Sequence, residues 1–535
     1  MICSGLRAAS VGRSFAGSAL FDFDADGACG PNHYAEITNR GLRVISLASG
    51  AEVYNVPLWD FWRSKVGTPS RFSGFDPHIE YDHSCERWFA TSLTKAYSTD
   101  SAVLLGVSDG TDPSGSWKGF VIDADPEDHF WADYPQLGID GAAIYIRMQM
   151  IGIESSISRA TTLITVPKSD LTSSVPTVDR LSRFSVPRPI FPDQPSPTDL
   201  NPDLWPQIDF LGTSWDGLLV GYPSIGWKSE LSNGRVVYQW AAFCDYQRVV
   251  DSGTASATIS SWSTALKYVF QQTTLIPPPG PWPSDAGFQM GTEHRLGNNG
   301  GNNYVRVGNV LYSVGNAVVQ GRVGIAYTKL CVSSNSIIDS GFIGDELHDH
   351  FEASIGANPR GDVVIAYLRT GASEYASLYA SFGRADVNGH LKFGSPILLK
   401  AGTDIFDEKG PRYGDTGPAR LSDYSTAVSI HPADHSRFWV SGPYVSSRNA
   451  ASTWIAELVT EELPILSVGR IGVSNEDVEI RFNSVAGKTY RFQRSATLSD
   501  WHTLQSGIAG TGAEIILFDP GQGLFRRLFW RLLLN

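Results

Sequence analysis

Three aspartates at alternate positions, Asp22, Asp24 and Asp26, directly precede Gly27 in the stretch LFDFDADGACGPNHY. Carboxylates at loop positions 1, 3 and 5 followed by glycine at position 6 open the calcium-binding loop of an EF-hand. Counted from Asp22, position 12 is His33 and not the bidentate glutamate that closes such a loop, so an EF-hand is excluded. Two alternatives stay open: a shorter loop that binds a structural calcium ion, or a turn whose carboxylates accept backbone hydrogen bonds.

A second stretch, GDELHDHFE at 344–352, is dense in acids and histidines. If it is a strand, His348 and His350 point to the same side, which suits a metal ion. If it is a polar loop before a strand, these side chains are solvated and make only turn hydrogen bonds. We favour the second interpretation.

Six residues are candidates for ligand binding. Tryptophan rings can stack on the apolar faces of sugars, and asparagine side chains can hydrogen-bond a polar ligand. The candidates are Trp131, Trp205, Trp215, Asn298, Asn299 and Asn302. The competing interpretations are structural: the tryptophans as wedges between repeats, and the stretch RLGNNGGNNYV as a tight turn that needs positive φ.

Sequence motifs assign no catalytic residue. There is no Gly-x-Ser-x-Gly elbow, phosphate-binding loop or dinucleotide fingerprint. The stretch SDGTDPSGSW loosely resembles the Asp-box turn of sialidases, but no Arg-Ile-Pro phrase accompanies it. A glycosidase that uses two carboxylates stays possible, because spacing along the sequence does not report separation across a folded surface.

The composition indicates which elements position these residues. Of 535 residues, 42% are hydrophobic and only 18% charged, with 53 glycines and 30 prolines, a profile typical of many short strands joined by turns. The net charge of −13 removes the general electrostatic case for nucleic-acid binding. No apolar run approaches the roughly 20 residues that span a bilayer, so no transmembrane segment is expected. The five cysteines have no metal-site spacing and are expected as free thiols or one or two disulfides.

The strand pattern repeats along the chain. An opening phrase ends in a short strand, at 77–80, 135–138, 353–356 and 427–430, and a turn and an apolar strand follow. Self-similar four-stranded units of about 40 to 60 residues are the signature of propeller blades. We predict an all-β protein with a seven-bladed β-propeller over 18–462, six or eight blades being the alternatives. An early strand is expected to close the ring by pairing with the last blade.

In the first blade, 20–23 is predicted as a strand, 24–30 as a turn and His33 onward as the next strand. Residues 1–17 are expected to be an N-terminal extension, with a truncated signal region as one alternative. Residues 463–535 alternate apolar and polar residues between short turns, which predicts a separate, small β-sandwich domain.

Phrases such as DADGACGPNHYAEITN, FDPHIEYDHSCERWFATSL, DYPQLGID and DYSTAVSIHPADHSRFWVSG resemble a family of exported bacterial β-propeller proteins of poorly characterised function. The tail phrase GKTYRFQRSATLSDWHTL is similar to a small C-terminal β-sandwich module of such proteins. The resemblance implies an extracellular or cell-envelope setting and names no reaction.

The sequence favours a non-enzymatic binding or scaffold protein whose propeller loops contact an extracellular glycan or protein. The alternative is a carbohydrate-active hydrolase, glycosidase or sialidase-like, with acids in the central depression of the propeller. The two hypotheses differ in one structural feature, because the enzyme needs two or more acids that converge at the centre of the ring.

Overall fold

The protein is described by a computed structural model that divides into two compact units, Met1–Thr460 and Glu461–Asn535. The predicted boundary between 462 and 463 lies among 461–465, outside the described residues. The structure describes residues 9–19, 24–67, 73–154, 158–186, 203–222, 225–230, 236–241, 243–250, 258–259, 263–267, 271–274, 304–320, 322–371, 373–386, 388–406, 424, 426–460, 466–470, 477–496, 501–520 and 528–534.

The first unit is built almost entirely of strands. Its strands are, in chain order, β1 Ser10–Ala19, β2 Asp26–Cys29, β3 His33–Thr38, β4 Gly41–Ser46, β5 Glu52–Pro57, β6 Phe75–Asp82, β7 Arg87–Thr94, β8 Ala102–Ser108, β9 Trp117–Asp123, β10 Phe130–Ile139, β11 Ala143–Gly152, β12 Ser158–Pro167, β13 Ser182–Val186, β14 Asp203–Pro206, β15 Leu218–Tyr222, β16 Ile225–Glu230, β17 Val236–Ala241, β18 Phe243–Val250, β19 Thr258–Ile259, β20 Ser263–Lys267, β21 Gln271–Thr274, β22 Tyr304–Val307, β23 Val310–Val319, β24 Arg322–Cys331, β25 Ser336–Ile343, β26 His348–Ala357, β27 Asp362–Gly371, β28 Glu374–Ala385, β29 Leu391–Phe393, β30 Ile397–Lys400, β31 Ala427–Ile430, β32 Arg437–Ser447 and β33 Ala450–Val459. The short helices are α1 Leu58–Asp60, which continues as a π-helical turn over Phe61–Lys65, and α2 Lys168–Leu171.

These strands form a propeller. Among the described residues, six sheets follow the regular antiparallel meander: β2–β5, β6–β9, β10–β13, β22–β25, β26–β30, and β31–β33 completed by β1. We number them blades 1 to 6. A further, irregular sheet of β14, β15, β18, β19 and β20 lies between blades 3 and 4, and β16, β17 and β21 form a separate small sheet. The predicted β-propeller is thus confirmed, with six regular blades and the irregular sheet in place of the seven regular blades expected.

The inner strands run side by side in one direction. Isolated parallel bridges join Ile139 of blade 3 to Ile208, and Ile208 to Val305 of blade 4. The apolar core fills the space between neighbouring sheets, where a buried cluster extends from Phe89 of blade 2 to Ile365 of blade 5. We call the end at which the inner strands begin the upper end, and the other end the lower end.

Two details near the N-terminus differ from the sequence predictions. The ring closes on an early strand as expected, because β1 pairs with β33. The predicted extension over 1–17 is wrong for residues 10–17, which belong to blade 6. The predicted turn at 24–30 is wrong, because Asp26–Cys29 is the inner strand of blade 1. Gly27 permits the close approach this strand needs, since a Cβ there would meet the Tyr34 hydroxyl oxygen at 2.6 Å.

The second unit contains two three-stranded sheets. Their strands are β34 Leu466–Arg470, β35 Val478–Asn483, β36 Thr489–Ser495, β37 His502–Ala509, β38 Glu514–Asp519 and β39 Phe529–Leu534. The orders are β34-β35-β38 and β37-β36-β39, and side chains of both sheets, including Ile480 and Phe492, share one apolar cluster. The β-sandwich domain stays a prediction for this unit. Over the described part of the whole chain, no helix is long and apolar enough to cross a membrane.

Candidate active site at the upper end of the propeller

The inner strands of three blades carry the same irregularity near their starts. In β6, β10 and β26 the register shifts between Phe75 and His78, Asp133 and Gln136, and Phe351 and Ser354. Each shift contains a non-glycine residue at positive φ: Asp76 at 49°, Tyr134 at 52° and Glu352 at 51°. Such bulges redirect side chains and concentrate next to functional sites. The upper end is therefore where side chains are held in unusual directions.

Three aspartates from three consecutive blades meet at this end. Asp76 of blade 2 is buried, with 7% of its surface exposed, while Asp24 of blade 1 and Asp133 of blade 3 are half-buried. The carboxyl groups of Asp76 and Asp24 are hydrogen-bonded to each other. We call Asp24, Asp76 and Asp133 the acid cluster.

The acid cluster favours the protonated form of Asp76. Burial, then the negative charges of Asp24 and Asp133 and the hydrogen bond with Asp24, raise the pKa of Asp76 well above its usual value. A backbone hydrogen bond from Tyr134 acts in the opposite direction and is outweighed. A buried carboxyl group beside two other acids favours its protonated form, and the hydrogen bond joins Asp76 to Asp24.

One side-chain amide positions both partners. Asn39, in the turn between β3 and β4, donates from Nδ2 to Asp24 Oδ2 at 2.8 Å. Its Oδ1 accepts the backbone N–H of Asp76 at 2.7 Å. Asn39 thus fixes the Asp24 carboxylate and the strained Asp76 backbone relative to each other, across the interface of blades 1 and 2.

Next to the acid cluster, the buried His78 links blades 1, 2 and 3. His78 Nδ1 lies 3.0 Å from Asp26 Oδ2 of blade 1, and its Nε2 lies 2.9 Å from the Pro135 carbonyl oxygen of blade 3. Asp26 also accepts the backbone N–H groups of Gly27 at 2.8 Å and Ile79 at 3.1 Å. Through His78 and Ile79, Asp26 joins blade 1 to blade 2, and its charge adds to the effect of burial in raising the pKa of Glu80.

Aromatic rings wall the site. Tyr424 stacks on His78 with ring centroids 4.4 Å apart, and its hydroxyl donates to the Pro77 carbonyl oxygen at 3.2 Å. Tyr134 meets Tyr424 edge to face at 6.0 Å and Trp205 at 6.0 Å. Burial, and then the charges of Asp76, Asp24 and Asp26, raise the pKa of Tyr424 well above its usual value, so it stays a neutral hydrogen-bond donor.

The three aspartates predicted for calcium have separate surroundings. Asp22 lies outside the described residues, Asp24 belongs to the acid cluster and Asp26 bonds His78. Within the described residues, no group of three or more His, Cys, Asp or Glu side chains is arranged to hold a metal ion. A calcium site that includes Asp22 stays a prediction.

The predicted ligand-binding tryptophans fall in three different places. Trp131 is 3% exposed and packs against Tyr97 at the upper end, and Trp205 is 2% exposed behind Tyr134. Trp215 is 67% exposed but lies at the lower end, next to Gly141, whose N–H donates to the Ser214 carbonyl. Asn298, Asn299 and Asn302 lie outside the described residues.

The histidine-rich stretch begins β26 and does not form a loop. His348 pairs with Asp345 at 2.9 Å and lies 3.6 Å from Glu374, which also pairs with Arg369 at 2.7 Å. Burial lowers the pKa of His350 to about 4, so this ring is neutral at pH 7. The stretch is an ion-pair network of blade 5.

Sequence reasoning missed Asn39, Asp76 and Asp133. A signal was present, because FDPHIE places Asp76 one residue before a proline of β6 and DYPQLG places Asp133 two residues before a proline of β10. When the starts of the inner strands are aligned by sequence, Asp24, Asp76 and Glu352 occupy the same position in blades 1, 2 and 5. Each of these acids lies two residues before the residue that aligns with His78 of β6. The sequence does not show that closure of the ring brings Asp24 and Asp76 together.

Comparison with known proteins adds information on fold only. No family model matches the sequence, and no curated protein matches it. Solved structures with a similar arrangement include the GH43 endo-arabinanase from Bacillus licheniformis, at 14% identity, with 69% of this chain and 97% of that chain covered and a TM-score of 0.28. A PL25 ulvan lyase matches at 10% identity, 85% and 96% coverage and a TM-score of 0.37.

The GH93 α-L-arabinofuranosidase of Fusarium graminearum matches at 9% identity, 84% and 98% coverage and a TM-score of 0.35. These neighbours are propeller glycoside hydrolases and a polysaccharide lyase. Their identities and TM-scores are too low to support an argument about reaction or substrate.

Proposed function

We propose that this protein is a glycoside hydrolase in which Asp76 is the general acid and Asp133 the second carboxylate. The observation that carries the proposal is that Asp76 is hydrogen-bonded to Asp24 beside Asp133 at the upper end of the ring, where burial and these two acids raise its pKa. Most glycosidases need one carboxyl group that is protonated at the working pH and a second that is ionised.

In this proposal, Asp76 and Asp133 have separate roles in the reaction. Asp76 gives its proton to the oxygen of the glycosidic bond as that bond breaks, and the sugar departs as an alcohol. Asp133 acts on the anomeric carbon, either directly as nucleophile or by taking a proton from the attacking water. Asp24 keeps Asp76 protonated before the reaction, and Asn39 keeps both carboxyl groups in register.

The same features count against a purely binding role. A carboxyl group buried beside two other acids is an unfavourable arrangement, and a residue at positive φ adds a cost of about 1–3 kcal/mol. A site that only binds a glycan gains nothing from a shared proton, whereas an acid catalyst requires it. The hydrolase therefore replaces the binding protein as our first hypothesis.

A glycan substrate and an extracellular or cell-envelope location form part of the proposal. Polysaccharides of the kind that propeller enzymes cleave are found outside cells, and the resemblance noted from the sequence implies the same setting. Localisation in the source cells, by fractionation with an antibody against the chain, tests this part separately.

The experiment is a hydrolysis screen of purified protein on soluble polysaccharides, arabinan and ulvan among them, with reducing-end release as the readout. The variants are Asp76→Asn, Asp133→Asn and the matched control Glu127→Gln, whose side chain is 80% exposed in the loop before β10. We expect wild type and Glu127→Gln to cleave at least one substrate at equal rates. Both aspartate variants should lose about 10²–10⁴-fold in kcat/KM.

Two results would overturn the proposal. One is a wild-type protein that hydrolyses none of the panel between pH 4 and pH 8. The other is an Asp76→Asn variant that is folded and as active as wild type. Release of unsaturated, ultraviolet-absorbing ends in place of ordinary reducing ends would indicate a lyase and assign the acids to different roles.

A further inference from the structure

An exposed tyrosine stands over a buried tryptophan at the upper end. Tyr97, in the loop between β7 and β8, keeps 63% of its surface exposed. Its ring lies 4.4 Å from the ring of Trp131, centroid to centroid, at an interplanar angle of 41°. A large aromatic side chain that is fixed by a second ring and still open to solvent is available to a ligand.

The loop holds Tyr97 in this place against its backbone preference. Lys95 and Tyr97 both have φ of 59°, although neither is glycine. Such residues cost on the order of 1–3 kcal/mol each and persist only where surrounding structure fixes them. Ser101 supplies that fixation, because its Oγ accepts the Ala132 N–H of β10 at 3.0 Å and its own N–H donates to the Ser98 carbonyl at 3.1 Å.

The tyrosine is adjacent to the acid cluster. Trp131 and Asp133 are two residues apart in the regular part of β10, opposite Ile151 and Gln149, so their side chains project from the same face of the sheet. Two residues along a strand span about 6.6 Å, roughly the length of one sugar unit. A chain whose glycosidic bond lies at the acid cluster would place its next sugar on Tyr97.

We propose that Tyr97, supported by Trp131, is a platform that binds the sugar neighbouring the cleaved bond by stacking on its apolar face. The substrate is then an oligo- or polysaccharide with sugars on both sides of that bond, and not a single sugar joined to an aglycone. This inference rests on the proposed function for the position of the cleaved bond. It also extends the sequence prediction for Trp131, which supports the platform from behind and does not itself meet the ligand.

The test uses Asp76→Asn as the binding host, because this variant should bind a glycan without cleaving it. A glycan array of plant, algal and microbial oligosaccharides is probed with the host and with three further variants made in it. They are Tyr97→Ala, Tyr97→Phe and Trp215→Ala, the last an exposed aromatic residue at the opposite end of the ring. Thermal unfolding of each variant checks that it is folded.

We expect the host to bind at least one glycan, Tyr97→Ala to weaken that binding about tenfold, and Tyr97→Phe and Trp215→Ala to leave it within about twofold. Unchanged binding by a folded Tyr97→Ala variant, or no binding of any glycan by the host, overturns the platform. The two proposals fail separately. Tyr97→Ala is also made in wild type. Glycan binding that depends on Tyr97, with no turnover by wild type, defeats only the hydrolase. Turnover by wild type that Tyr97→Ala leaves unchanged on substrates of every chain length defeats only the platform.

Discussion

Aspartates lie at both ends of the inner strands. The aspartates at the upper end and those at the lower end differ in the groups that surround their carboxyl groups. At the upper end, Asp76 is hydrogen-bonded to Asp24 beside Asp133, and burial and these two acids raise its pKa. At the lower end, one aspartate ends the inner strand of blade 2, one directly follows the inner strand of blade 3, and one lies three residues after β14 of the irregular sheet. These are Asp82, Asp140 and Asp209, none of which exposes any surface.

The lower aspartates face hydrogen-bond donors. Asp140 accepts the backbone N–H groups of Ala142 at 2.8 Å, Ala143 at 3.0 Å and Gly217 at 2.9 Å, and the Tyr145 hydroxyl at 3.1 Å. Asp82 accepts the Ser84 N–H and the Lys168 ammonium group, and Lys168 also donates to the Asp140 carbonyl at 2.6 Å. These acids fix turns and join blades 2 and 3.

A shifted pKa alone does not separate the two sets. Burial raises the pKa of Asp140 to about 6, although four hydrogen bonds lower it. What distinguishes Asp76 from the three lower aspartates is that its neighbours are other acids, which add to burial in favouring the protonated form of its carboxyl group. The groups that contact a buried acid therefore indicate, better than its burial does, whether the acid stabilises the fold or acts in catalysis.

The largest effect is expected from Asp133, the second carboxylate of the proposed mechanism. Asp133→Ala should lower kcat/KM by about 10²–10⁴-fold, because it removes the carboxylate that acts at the anomeric carbon. Added azide or formate should restore part of the rate by entering the space left by the side chain. Steady-state kinetics with and without the anion check this. A loss of rate that follows a loss of folded protein, with no rescue, would place Asp133 among the structural acids.

For the lower set, the expected effect is on stability. Lys168→Met should lower the free energy of unfolding by about 3–5 kcal/mol, because Asp82 is then buried without its counter-charge. The double variant Lys168→Met/Asp82→Leu should recover much of this loss. Denaturant unfolding measures both, and kcat/KM below the unfolding transition should equal that of wild type. Equal stability of the single variant and wild type would contradict the assignment.

A smaller effect concerns the dependence of stability on pH. Asp140 has a pKa of about 6 in the folded state, against an ordinary value of about 4, so the folded protein binds its proton more tightly than the unfolded chain. The stability from this group is full below about pH 4 and is lost as the pH rises through 6. Relative to Asp140→Asn, wild type should lose about 3 kcal/mol over this interval and nothing further above it.

Unfolding curves at half-unit steps from pH 4 to pH 8 provide the measurement for Asp140. Glu127→Gln serves as the control, since its exposed side chain should leave the pH dependence of wild type unchanged. Parallel pH curves for wild type and Asp140→Asn would show that Asp140 does not titrate in this range.

The smallest effect is a displacement of the pH–rate profile. The charge and hydrogen bond of Asp24 raise the pKa of Asp76, so Asp24→Asn should lower that pKa. The basic limb of kcat/KM, where the general acid is lost, should then move to lower pH, while the rate at acidic pH changes little. A basic limb in its wild-type place would show that Asp24 does not set the protonation of Asp76.

The fold was largely readable from the sequence because its signals are local. The opening phrases at 77–80 and 135–138 lie within the inner strands β6 and β10, and alternating apolar residues mark the strands that follow. Asp26 shows where local signals fail. Its Asp-Gly pair predicts a turn, but the bond to His78 and the close packing of Tyr34 over Gly27 hold the segment as a strand.

The site was not readable in the same way, because its members come from three blades. Asp24, Asp76 and Asp133 are separated along the chain by about fifty residues each, and only closure of the ring and the bulges in β6 and β10 make them neighbours. The aromatic candidates show the same dependence on tertiary structure. Trp131 and Trp215 look alike in sequence, yet one is buried near the acids and the other is exposed at the opposite end.

The most direct test compares one acid from each end. For Asp76→Asn and Asp82→Asn, kcat/KM and the free energy of unfolding are measured on the same preparations. Our account predicts that Asp76→Asn loses about 10²–10⁴-fold in kcat/KM without loss of stability, because it removes the proton donor while the asparagine amide can still donate a hydrogen bond to Asp24. Asp82→Asn should lose stability and keep its rate. An active Asp76→Asn variant, or an Asp82→Asn variant that is stable and inactive, would contradict the distinction between the two ends.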